Sequence, residues 1–124
     1  MWNPKLTPSF SVAEMACKCG QCDGLHDMDH DFMLTLQAMR DRIGPMPVVS
    51  GFRCPLHPDE AKKDKPGSHA QGRAADIRCV DSLTRFTLVR VGIELGMVGI
   101  GIARTFVHLD NGHAHSPRPA IWEY

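Results

Sequence analysis

The chain has no surplus of either charge: 14 lysines and arginines balance 14 aspartates and glutamates, and the basic residues are scattered rather than gathered in a stripe. No long-range field draws it to nucleic acid or to an anionic membrane surface, so neither is expected as a partner. No apolar run approaches the roughly 20 residues needed to cross a bilayer. Met1-Trp2-Asn3-Pro4-Lys5 lacks the charged start and apolar stretch of a secretion signal, which places synthesis in the cytoplasm unless other machinery moves the product. The five cysteines are an odd number in a chain without such a signal, which argues against a disulfide framework. Repeats, low-complexity segments and a glycine-rich phosphate loop are all missing. Neither Ser50 nor Ser68 lies in a nucleophile-elbow pattern, and Cys54 has no stronger claim to nucleophilic catalysis. At 124 residues the chain can fill one core and little more, so a single domain over residues 1–124, acting as a monomer, is expected.

What is present is a set of metal-ligand residue types at informative spacing. His69-Ala70-Gln71-Gly72-Arg73-Ala74-Ala75-Asp76 is followed some thirty residues later by Phe106-Val107-His108-Leu109-Asp110. Together these segments offer two imidazoles and one carboxylate. Three protein ligands leave one position of a tetrahedral zinc open, which separates a catalytic site from a closed structural one. Gly72 allows a sharp turn after His69, and the segment through Ala74, Ala75 and Ile77 reads as a strand that fixes Asp76. Residues two apart on a strand share a face, so Phe106, His108 and Asp110 should point together while Val107 and Leu109 face the opposite layer.

Elsewhere the pattern alternates between caps and apolar periodicity. Residues 1–27, rich in Pro, Gly, Cys and Asp, read as an irregular arm with one short helix near Ser11 to Met15, where Ser11 and Glu14 have capping-box spacing. Phe32, Met33, Leu36, Met39 and Ile43 recur at helical spacing between an acidic start at Asp29 or Asp31 and a stop at Gly44-Pro45. Val48 to Phe52 reads as a short strand delivering Arg53. His57 to Ser68 reads as a surface loop or ragged helix. Asp81 or Ser82 can cap a further helix whose apolar residues, Leu83 through Leu95, surround much of its circumference and imply burial on more than one side. Val98 to Ile102 and Thr105 to Leu109 form a tight hairpin. The order implies an α+β domain, with helices packed on a small antiparallel sheet and the metal at the sheet surface.

The trio Cys17, Cys19 and Cys22 is dense enough for a metal knuckle, with Cys54 or His26 available to close a tetrahedron around a second, structural zinc; the alternative is a loop of reduced thiols. Cys79, ending an apolar strand, reads as a small core residue.

Phe10-Ser11 with Glu14, Val49-Ser50-Gly51-Phe52-Arg53-Cys54-Pro55, the His69 to Asp76 block, Gly99-Ile100-Gly101-Ile102, Thr105 to Asp110, and Trp122 follow one another in an order that covers nearly the whole chain. In that order the chain resembles the D-Ala-D-Ala carboxypeptidase-like zinc peptidases, cell-wall enzymes that share their fold with the Hedgehog signalling domain, and in its gaps it resembles their short phage and prophage members. The resemblance implies a Hedgehog/DD-peptidase-like fold, zinc bound by His69, Asp76 and His108, and Arg53 holding a substrate carboxylate or polarising the scissile carbonyl. It implies peptidoglycan peptides as substrates, cut by an endopeptidase or carboxypeptidase that reaches the wall through a lysis pore, as an endolysin does, or on a virion.

Two positions depart from the family pattern. Gly67 stands where the family usually has a serine, so a substrate contact falls to Ser68 or is lost. Thr105 stands where many members place the catalytic acid. The general base is then Asp110, on the face of His108, with His113 and His115 as alternatives and a role in orienting His108 as the other reading of Asp110. A chain with the metal but without a base would be a peptidoglycan-binding module or a virion structural part.

Overall fold

A computed structural model describes residues 1–112 and 117–124. Its elements in chain order are α1 (Val12–Met15), α2 (His30–Ile43), β1 (Val48–Ser50), α3 (Pro58–Ala61), β2 (Ala74–Arg78), α4 (Ser82–Glu94), β3 (Gly99–Ile102), β4 (Phe106–Asp110) and β5 (Ala120–Glu123), with a 3-10 turn at Pro4–Leu6 before them. Among the described residues no helix is long and apolar enough to cross a membrane.

The helices begin where the sequence supplies acceptors for their free N–H groups. Ser11 Oγ accepts from Glu14 N at 3.1 Å while the Glu14 carboxylate accepts from Ser11 N at 2.9 Å, the reciprocal pair of a capping box. Asp29 caps α2 through Phe32 N at 2.9 Å, and Asp81 caps α4 through Thr84 N at 2.8 Å. Gly44, at φ +100°, ends α2 in a conformation that side chains resist.

The five strands form one sheet in the order β1-β2-β4-β3-β5. β1, β2, β4 and β3 pair antiparallel, but β5 lies parallel to β3, with Gly99 opposite Ala120 and Gly101 opposite Trp122. The sheet is therefore mixed, not antiparallel as expected. The cause is the C-terminal segment, which returns along the outer edge of β3 instead of trailing away. One face of the sheet, through Ala75, Ile77, Ile100, Val107 and Leu109, meets Phe32, Met33, Leu36 and Met39 of α2 and Leu88 and Val91 of α4 in a single core. The opposite face carries Asp76, His108 and Asp110.

The expectation for α4 is also corrected. Only Leu88, Val91 and Gly92 are buried, while Leu83 and Phe86 are 76% and 65% exposed. The helix packs on α2 and β4 with one face, and nothing covers the other among the described residues. The N-terminal arm, by contrast, is tied down: Trp2, Phe10 and Met15 are buried in the main core, and Trp2 Nε1 donates to Thr7 Oγ1 at 2.8 Å.

Candidate metal centre

Three segments deliver the ligand set. His69 sits in the turn before β2, Asp76 in β2 and His108 in β4, where Asp76 and His108 are direct cross-strand partners. The turn depends on Gly72, whose φ of +70° and whose packing against the backbone of Asp27 to Asp29 leave no room for a Cβ. As cross-strand partners, Asp76 and His108 share the face away from the helices, and Val107 and Leu109 face the core as strand alternation predicts.

The ligand atoms of His69, Asp76 and His108 lie within 4.8 Å of one another, and all three residues are buried. Asp76 Oδ1 is 3.3 Å from His69 Nε2 and 3.1 Å from His108 Nδ1. Nitrogen and oxygen ligands about 2.0–2.1 Å from a tetrahedral zinc stand roughly 3.3 Å apart, so this donor set is spaced for one ion. The remaining ring nitrogens fix the tautomers. His69 Nδ1 is 2.7 Å from the Gly51 carbonyl oxygen, which can only accept, so Nδ1 carries the hydrogen and Nε2 presents its lone pair. His108 Nε2 is 2.7 Å from Asp110 Oδ2 and donates to it, which frees Nδ1 in the same way.

The electrostatics follow from this packing. Burial lowers the His69 pKa, and the contact with Asp76 only partly opposes it. Burial also acts to lower that of His108, but hydrogen bonds to Asp110 and Asp76 outweigh it and raise the value. For Asp76 burial pushes upward, and the two imidazoles overcome it to hold the carboxyl well below the usual range.

Arg53, just past β1, donates from Nη2 to Asp76 Oδ2 at 3.1 Å and from Nε to Ser50 Oγ at 3.1 Å, while its Nη1 lies 3.7 Å from Asp59. It thereby holds the oxygen of Asp76 that faces away from the two histidines. Ser68 is buried in the wall next to His69.

Asp110 is beside His108, as expected, but its setting is not that of the expected base. It is fully buried. Oδ1 accepts from Gly112 N and Arg118 Nε at 2.9 and 3.0 Å, and Oδ2 accepts from His108 and from Arg118 Nη2 at 2.7 and 2.9 Å. A carboxylate offers about four lone-pair sites, and these contacts use them. Gly99 makes the arrangement fit, since a Cβ there would run into the Asp110 carboxylate. His113 and His115 lie outside the described residues.

The centre forms part of the wall of a pocket of about 760 Å³ lined also by Arg53, Asp59, Lys62, Lys63, Lys65, Ser68, Phe106, Arg118, Trp122 and Tyr124. Sequence reasoning assigned no site role to Arg118 or Tyr124, and Trp122 entered only as part of the family order. Trp122 packs on the His108 ring with centroids 5.2 Å apart, Arg118 lies 5.1 Å above the Trp122 ring, and Tyr124 packs on Phe106 at 5.3 Å. The available signal was Trp122 and Tyr124 at a spacing of two, which puts both on one face of a strand.

No curated protein matches the sequence. A family model described as peptidase M15 matches residues 8–110, a span that contains Arg53, His69, Asp76 and His108 in the geometry above. Such a match covers most of the molecule and ends at the last residue of β4. The chain belongs to the peptidase M15 family.

Proposed function

We propose that the protein is a zinc-dependent peptidase that hydrolyses stem or cross-link peptides of bacterial peptidoglycan. The observation that carries this reading is the buried His69, Asp76 and His108 set, with ligand atoms within 4.8 Å of one another, at the wall of an open pocket. Three protein donors suit a catalytic zinc rather than a closed structural one, and such an ion supplies Lewis acidity and activates water near neutral pH. The rest of the chemistry belongs to the chain. Gly51 and Asp110 fix the two imidazole tautomers, and Arg53 keeps Asp76 oriented while offering its remaining N–H groups to a substrate carboxylate or to the developing oxyanion. Ser68 is the substrate contact in place of the serine absent at Gly67. In this reading Asp110 is a positioning residue, since its acceptor sites are used, and the base role passes to His113 or His115.

The test is incubation of the purified protein with defined peptidoglycan fragments, with and without chelator, followed by mass spectrometry for new amino termini. Cleavage that chelator stops and zinc restores is the expected result. Fragments that bind but stay intact under all conditions would overturn the proposal in favour of a binding module.

A further inference from the structure

Outside the residues that line the pocket, four thiols converge. The Sγ atoms of Cys17, Cys19, Cys22 and Cys54 lie within 4.8 Å of one another, with Cys19 3.5 Å from Cys54 and 3.7 Å from Cys22. We propose that these four cysteines bind a second zinc ion in a closed, structural site. The argument is geometric and chemical. Thiolates about 2.3 Å from a tetrahedral zinc stand roughly 3.8 Å apart, close to the distances of Cys19 from Cys22 and Cys54, and four sulfur donors leave no position for water.

Backbone N–H groups of the surrounding loops point at the cluster. Gln21 N donates to Cys19 Sγ at 3.3 Å and Cys54 N donates to Cys17 Sγ at 3.3 Å, so backbone N–H groups offset charge on the sulfurs. Cys17 N bonds to Leu25 O at 2.7 Å and closes the loop at its base. Cys54 is the fourth ligand in preference to His26, whose Nδ1 is 3.1 Å from Gly24 O and whose ring packs against Trp2. The cluster also has a structural purpose. It joins the N-terminal arm to the residue that follows Arg53, three positions beyond the Gly51 carbonyl that orients His69. A metal there holds the arm and the base of the pocket as one body. This site is independent of the peptidase reading.

Metal content of the full-length protein decides the matter, measured by mass spectrometry on material grown with zinc and purified with reductant and without chelator. The expected result is two zinc ions per chain for the wild type and one for His69→Ala, whose cysteine site is intact. Replacing the remaining metal in His69→Ala with cobalt should produce an intense sulfur-to-cobalt charge-transfer band in the near ultraviolet. Cys22→Ser should lose that band and one zinc. If Cys22→Ser does not fold, the His69→Ala chain alone gives the answer. A His69→Ala protein that holds no zinc and shows no thiolate band would overturn the proposal.

Discussion

How firmly His108 is held depends on Asp110, a side chain that touches no solvent. Its carboxylate accepts a hydrogen bond from His108 Nε2 and is itself held by Arg118 and Gly112 N. Replacing Asp110 with Asn should therefore loosen the metal, with zinc affinity falling by about 10–100-fold, the usual effect of losing a partner that orients a ligand. Competition with a chromophoric chelator measures this. Unchanged affinity with a large fall in kcat would instead restore Asp110 as the base. The convergence of the three candidate ligands was legible in the sequence because each depends on local chemistry: a turn at Gly72, and strand alternation from Ala74 to Ile77 and from Phe106 to Asp110. What was not legible was the saturation of Asp110. Its partner Arg118 lies between prolines, in a segment whose return to the sheet no local pattern announces.

Elements set by local signals were foreseen, and those set by distant pairing were not. Asp29 and Asp81 mark helix starts that the structure keeps, whereas β5 owes its place to parallel pairing with β3, a contact between segments with no shared turn. The exposed apolar residues of α4 misled for a related reason, since periodicity reports apolar content and not which neighbours exist. Within β3, Gly99 faces the Asp110 carboxylate with no space for a side chain. Gly99→Ala removes some freedom from the unfolded chain, worth about 0.4–1 kcal/mol where the site tolerates it. Overpacking costs about 1–3 kcal/mol and should dominate, lowering the urea midpoint and weakening zinc binding with it. The α3 loop offers a pH test. Burial raises the Glu60 pKa, but Lys63 at 2.8 Å and Gly67 N at 3.0 Å outweigh it and leave the value lowered. A folded-state value below the unfolded one means that Glu60 stabilises the fold above the ordinary carboxylate range and loses that contribution as pH falls through the lowered value. The stability gap between wild type and Glu60→Gln should accordingly be largest near neutrality and close in acid, as followed by urea denaturation across pH.

At the scale of the molecule, hydrogen bonds and a shared core tie the candidate metal centre to the N-terminal arm. Phe52 N bonds to Met15 O at 2.9 Å, next to the Gly51 carbonyl that fixes His69, and Lys18 Nζ reaches Val49 O at 3.2 Å. Residues 1–27 read in sequence as an irregular arm, because proline, glycine and cysteine break up their periodicity, and what ties the arm down is Trp2, Phe10 and Met15 in the same core as α2. Burying three such side chains contributes roughly 5–9 kcal/mol. The net stability of a whole domain is about 5–15 kcal/mol, so their loss removes most of it. A chain lacking residues 1–27 should show no cooperative urea transition and should bind the fluorescent dye that reports exposed apolar surface. A sharp transition near the wild-type midpoint would mean instead that the arm is a separable layer. The position of His69 would then have to rest on β2 and the Gly72 turn alone.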